Sequence, residues 1–146
     1  MKSKYRTTSV RAVILQKDQV LVEWFEPKQI SFLPGGTLEN NEDLKLALIR
    51  ELEEELLGIS LEVGQYLGKI GHIWKTDFGE DSCLNHFYEV TILTNEGVKA
   101  REFGRQIRWL TLNPEELSSV QPPKLRELLL NLKPSNSWNY VDSEVA

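Results

Sequence analysis

PGGTLENNEDLKLALIRELEEELLGI, residues Pro34 to Ile59, joins a glycine turn to an amphipathic segment that ends in a dense run of charge. Leu44, Leu48, Leu52 and Leu56 recur at the i,i+4 spacing of one helical face, with Ile49 beside them, which predicts a helix packed by that stripe. At about 3.6 residues per turn, Glu51, Glu54 and Glu55 fall within roughly 100° of one another beside the stripe. Carboxylates aimed one way repel. The Glu51–Glu55 spacing costs an isolated helix about 0.2–0.5 kcal/mol, and anions in the last turns also oppose the helix dipole. A bound cation reverses both penalties. Oxygen-only donors select a hard ion, Mg²⁺ or Mn²⁺, and Mg²⁺ usually takes a carboxylate or two together with substrate phosphates. Arg50, at i,i+4 from Glu54, can hold that side chain in place. The bland alternative for an acidic run is a solvated helix face, and what argues against it lies upstream.

Leu33-Pro34-Gly35-Gly36 is a turn whose glycines free the backbone for close approach to a metal or phosphate. Asn40 or Asn41 is expected to cap the helix, with Glu42 and Asp43 in its first turn. Gly36, five residues, Glu42, seven residues, Arg50-Glu51-Leu52, one residue, then Glu54-Glu55 resembles the box of the Nudix hydrolases. One departure stands at the end of the box, where both Leu56 and Leu57 precede Gly58 and the family has a single residue. That change lies C-terminal to the acidic residues, so it is expected to move the helix end and the start of the next strand. The spacing among the carboxylates is intact.

The resemblance implies an α/β/α sandwich around a mixed β-sheet, where periodicity alone reaches only a mixed α/β domain. It also implies a reaction, hydrolysis of a pyrophosphate linkage in a nucleoside diphosphate joined to another group. Glu51, Glu54, Glu55 and the carbonyl of Gly35 are the implied metal ligands, Glu51 or Glu54 the implied base, and Glu102 a further ligand or base outside the box. Gly36, Glu42 and Arg50 take structural roles. Markers of two subclasses are missing, since no Pro lies between Pro34 and Pro114 and no Tyr between Tyr66 and Tyr88. A nucleoside triphosphate or modified nucleotide is therefore preferred, with ADP-ribose or a nucleotide sugar as alternatives. A nucleotide-sensing domain without turnover is the reading from a different class.

The 146 residues are read as one domain with a polar C-terminal tail over 135–146, since a chain of this length can build one sizeable core. Its 40% hydrophobic and 27% charged residues are those of a globular chain, and a net charge of −5 argues against binding nucleic-acid backbone. The partner expected is a small-molecule nucleotide, with a homodimer left open. A single cysteine, Cys83, excludes a disulfide framework and any multi-cysteine metal site. No apolar run approaches the ~18 residues of a membrane span, and the N-terminus has no apolar leader, so a cytoplasmic location is expected.

Residues 7–16 and 19–25 are rich in β-branched side chains and read as a hairpin, and 26–36 as a loop feeding the helix. Strands are expected from Ile59 to about Leu67 and from about Leu84 to Leu93, flanking a connection with His72, Trp74, Asp77 and Asp81 as a candidate substrate loop. Residues 94–105 read as loop and 107–112 as a strand. Asn113-Pro114-Glu115-Glu116 signals a short helix, and Pro122-Pro123 opens a last one. Substrate contacts are sought among Arg11 on the first strand, the aromatics Trp24, Phe32, Trp74 and Tyr88, and the histidines His72 and His86. Packing is the plain alternative for most of them.

Overall fold

A computed structural model describes residues 4–100, 106–132 and 137–144, with side chains left aside at 57–59 and 94–100. The opening hairpin forms as expected from β1 (Thr7–Gln16) and β2 (Gln19–Phe25), turning at Lys17, which takes a left-handed φ of 57°. The two strands pair only at the tip, through Leu15–Val20 and Gln16–Gln19, and then part. This fork organises the molecule.

On one branch β1 runs antiparallel to β4 (Gly35–Thr37) and parallel to β6 (Gly79–Ala100), which pairs antiparallel with β5 (Leu56–Thr76). On the other, β2 lies antiparallel to both β3 (Ile30–Phe32) and β7 (Gln106–Thr111). A last strand, β8 (Trp138–Ser143), adds parallel to β5 at the edge. The sheet is thus mixed, in the order β3-β2-β1-β6-β5-β8.

Each face carries a helix, because alternate residues of a strand point opposite ways. Val10, Ala12 and Ile14 of β1 face α1 (Leu44–Glu55), packing with Leu21, Ala47, Leu48, Leu52 and Val90. Val13 faces the other way and joins Phe87, Ile70, Leu117 and Trp138 around α2 (Lys124–Leu130), through Leu125 and Leu129. The result is the expected α/β/α sandwich.

Four expectations are corrected. First, residues 26–36 are not a single loop but hold a 3₁₀ turn over Glu26–Lys28, all of β3 and the start of β4. Second, the helix N-cap is Asp43, whose carboxylate accepts from the Leu46 N–H at 3.0 Å. Neither Asn40 nor Asn41 caps it: Asn41 takes a left-handed φ of 53°, and the Glu42 N–H closes a turn on the Glu39 carbonyl. Third, residues 68–83 are not a loop. β5 and β6 run on as one long hairpin to a turn at Asp77-Phe78, with Thr76 paired to Gly79. Polar residues such as Lys69, His72 and Lys75 interrupt the apolar pattern there, although the pairing from Lys69–His86 to Thr76–Gly79 is regular and the irregularities lie earlier, up to Gly68. Fourth, residues 94–100 belong to β6, while 101–105 lie outside the described residues.

The departure at Leu56-Leu57 falls at the junction of helix and strand. Leu56 leaves the helix directly in extended conformation (φ −115°, ψ 138°) and begins β5, and the pairing of β5 with β6 is irregular between Leu57 and Ile59. The Asn113 signal yields a 3₁₀ turn over Glu116–Ser119, with the Asn113 carboxamide oxygen accepting from the Glu116 N–H. Trp138 docks in the core, which orders the tail as β8. Among the described residues no helix is long and apolar enough to cross a membrane.

Candidate active site

A cleft of about 670 Å³ opens where β1 and β2 diverge, lined by Arg11, Glu23, Trp24, Phe25, Phe32, Gly35, Gly36, Thr37, Glu51 and Glu55 among others. The glycine turn makes it possible. Arg11 and Gly35 are partners across β1 and β4, and the Ala12 N–H donates to the Pro34 carbonyl at 2.8 Å. Gly35 has a φ of +147°, and a Cβ there would overlap the Val10 carbonyl, so no other residue sits there without moving backbone. At Gly36 the conflict is different. A Cβ would overlap the Glu51 carboxylate, which therefore lies directly against the Gly36 backbone.

Helix phase explains how the acidic residues divide. Relative to Glu51, Glu55 is turned about 40° toward the buried Leu48–Leu52 stripe, whereas Glu54 is turned about 60° the other way, toward Arg50. Glu55 is accordingly buried, at 4% exposure, and accepts a long hydrogen bond of 3.4 Å from the Gly35 N–H. The Glu51 side chain is 14% exposed and the Glu54 side chain 56%. Glu51 and Glu55 thus line the cleft, and Glu54 stands at its rim.

Arg50 is anchored more firmly by Glu42 than by Glu54. Its Nε and Nη2 donate to the two Glu42 oxygens at 2.8 Å each, a bidentate fork, while Nη1 reaches Glu51 at 3.0 Å and Glu54 at 3.4 Å. The guanidinium holds the Glu42 carboxyl down at about 2. Glu42 also accepts from the Glu39 N–H, so it ties the loop before the helix to the carboxylate face. Glu51 is shifted the other way, raised first by burial and then by the neighbouring Glu55 charge. Arg50 offsets that only in part.

Among the described residues, no three His, Cys, Asp or Glu side chains already converge on one point as a finished metal cage. The donor chemistry nevertheless fits a hard divalent cation. Two enclosed carboxylates and the Gly35 backbone meet in one cleft, the Glu51 carboxyl is penalised for its charge, and Mg²⁺ ordinarily leaves positions for water and phosphate.

The remaining candidates separate by sheet face. Arg11 joins the cleft, with its Nη1 donating to the Leu33 carbonyl at 3.1 Å and its guanidinium 5.7 Å from the Phe32 ring centre. Trp24 lines the cleft too, but Arg108 covers its ring at 4.2 Å and its indole N–H is bound to Glu26. The His72 and Trp74 rings meet at a tilt of 35° with centres 4.8 Å apart and line an adjoining pocket rather than the carboxylate cleft. His86 and Tyr88 are set apart from both. Tyr88 packs with the α1-side core, and His86 accepts from or donates to the Tyr66 hydroxyl at 2.7 Å, its burial lowering its pKa. Glu102 lies outside the described residues.

Five lining residues were not anticipated, Glu23, Phe25, Glu26, Pro27 and Thr37. Glu23 is buried at 8% exposure in a strand, QVLVEWF, whose other residues are mainly apolar. A charge in such a strand was the available signal. Phe25 had none, since a terminal strand aromatic reads as packing, yet it is 45% exposed at the edge of the cleft.

This fold, a mixed sheet between helices with a glycine turn set against an acid-bearing helix, is that of the α/β/α pyrophosphohydrolases. A sequence model of the NUDIX domain matches residues 5–139, and the chain belongs to the Nudix family. Among solved structures it is similar to a NUDIX hydrolase from Nitrosomonas europaea, at 21% identity, with 86% of each chain covered and a TM-score of 0.65. It is also similar to a MutT protein from Bacillus halodurans (15% identity, 94% of this chain and 89% of that one, TM-score 0.66). An ADP-ribose pyrophosphatase from Streptococcus suis matches at 19% identity over 92% of this chain and 97% of its own, with a TM-score of 0.59. A search of curated proteins returns no match. Nudix hydrolases generally use divalent metal ions.

Proposed function

We propose that the protein hydrolyses the pyrophosphate linkage of a nucleoside diphosphate joined to another group, with Mg²⁺ as its cation and Mn²⁺ able to substitute. The observation that carries this reading is the meeting of Glu51, Glu55, Gly35 and Arg11 in one cleft. Carboxylates beside a cationic side chain suit a phosphate chain that arrives with a metal.

Glu51, Glu55 and the Gly35 backbone would hold the metal inside, and Glu54 would reach it from the rim. The bound ion would neutralise phosphate charge and acidify a coordinated water. Arg11 supports the phosphates from the β1 side. Arg50, clamped by Glu42, restrains Glu51 and Glu54 so that one of them receives the proton from water. Gly36 keeps the space beside Glu51 clear.

A nucleoside triphosphate or modified nucleotide is the preferred substrate, and the likeness to a MutT protein is in keeping with it. The likeness to an ADP-ribose pyrophosphatase keeps ADP-ribose as the second reading. A screen of nucleoside triphosphates, ADP-ribose and nucleotide sugars with Mg²⁺, products identified by chromatography, decides between them. Release of a nucleoside monophosphate and a second phosphorylated product is expected for one class. Absence of turnover for every class, with Mg²⁺ and with Mn²⁺, would leave a nucleotide-sensing domain instead.

A further inference from the structure

Beside the carboxylate cleft lies a second cavity of about 400 Å³, walled by Phe25, Ile30, Phe32 and Trp74, with Lys28, His72, Gln121 and Glu144 supplying polar atoms. Phe25 and Phe32 are shared with the cleft. A smaller depression of about 190 Å³ contains Arg11 and Thr37 from the cleft and Phe32, His72 and Trp74 from this cavity, so it links the two along one sheet face. The register explains the continuity. His72 pairs with Cys83, which pairs with Thr7, and cross-strand partners share a face, as do residues spaced by two along β1. Arg11 and His72 therefore look the same way, opposite to His86 and Tyr88.

Glu144 reaches this cavity from the end of the chain. Its backbone N–H donates to the Ile73 carbonyl at 2.8 Å, continuing the β5–β8 ladder, and its Oε2 meets His72 Nε2 at 2.8 Å. Among the described residues Glu144 Oε1 has no partner, and its side chain is 46% exposed. A carboxylate oxygen held through its partner thus lines an aromatic-walled pocket on the same sheet face as Arg11 of the cleft.

We propose that this cavity is the base-binding subsite, and that Glu144, positioned by His72, selects bases carrying an exocyclic amino group. The proposal rests on the nucleotide reading above. Aromatic walls take a planar heterocycle by stacking, worth ~1–3 kcal/mol per base in nucleic-acid binders. Adenine, guanine and cytosine each carry an amino donor, and a carboxylate accepts from it, as acidic side chains do from cytosine. Uracil carries none. A sugar is the poorer occupant, because each of its hydroxyl groups needs a partner and most of the lining surface is apolar.

The test is equilibrium binding in excess chelator, so that no turnover is needed. Quenching of tryptophan fluorescence is titrated with the monophosphates of guanosine, adenosine, cytidine and uridine, and with ribose 5-phosphate. At least one amino-bearing nucleotide is expected to bind ~10-fold or more tighter than the uridine compound, the scale of one hydrogen bond to a charged group. Trp74→Phe should remove most of the quench. Glu144→Leu should abolish the preference, Glu144→Gln should keep part of it, since its amide oxygen still accepts, and neither should change the ribose 5-phosphate affinity. His72→Gln, which retains a donor, should preserve the preference better than His72→Leu. Equal binding of all four nucleotides would overturn the selecting role, and no gain over ribose 5-phosphate would overturn the subsite itself. Loss of affinity for every ligand alike in Glu144→Leu would overturn the selecting role. Binding of this pattern without hydrolysis would sink the enzymatic reading and leave the subsite standing.

Discussion

Adjacent glycines in the turn carry opposite demands, and substitution separates them. Gly35 faces backbone and holds a φ that side chains avoid, so Gly35→Ala should destabilise the fold by at least the ~1–3 kcal/mol of a strained residue. Thermal unfolding measures that loss. Gly36 faces the Glu51 carboxylate, the mobile end of a side chain, so Gly36→Ala should unfold close to wild type while losing kcat. Neutral isosteres probe the acids themselves. Glu51→Gln and Glu54→Gln should each lower kcat by about 10²-fold or more, in the range of a lost catalytic proton acceptor, with secondary structure unchanged by circular dichroism. Retained activity in Glu54→Gln alone would place the chemistry on the cleft-lining pair, Glu51 and Glu55.

Helix α1 is the element through which sequence becomes site. Its acidic face and apolar stripe were legible, because both follow from the helical period and from side chains on a single element. Which carboxylate would be buried was not. Glu55 is enclosed because Leu48 and Leu52 turn its side toward β1, and that depends on packing partners far away in the chain. The Glu42–Arg50 fork offers a pH signature. Glu42 titrates at about 2 in the fold against 4.5 unpaired, so its contribution is complete above a pH of about 4.5 and is lost as the pH falls toward about 2. Glu42→Gln should therefore be less thermally stable than wild type at neutral pH, and the gap should close through that window. A gap independent of pH would show that the fork does not stabilise the fold. At the same scale the outer half of the β5–β6 hairpin, residues 68–83, was illegible, since Lys69, His72, Lys75 and the acidic residues after them leave no apolar alternation there to read as a strand.

At the scale of the molecule, the box was readable from spacing, while the pocket beside it was not. The cleft needs the fork between β1 and β2, and the neighbouring cavity needs His72 and Trp74 from the middle of the chain and Glu144 from its end. No local pattern brings those residues together. What the whole arrangement supports is a single claim: the carboxylate face of α1, set against Gly35 and Gly36, hydrolyses a phosphate chain only when it holds a divalent cation. The most direct measurement follows turnover of the best substrate as Mg²⁺ is removed with excess chelator and then restored. The account predicts that hydrolysis stops on removal and returns on restoration, whereas undiminished hydrolysis in the chelator would contradict it.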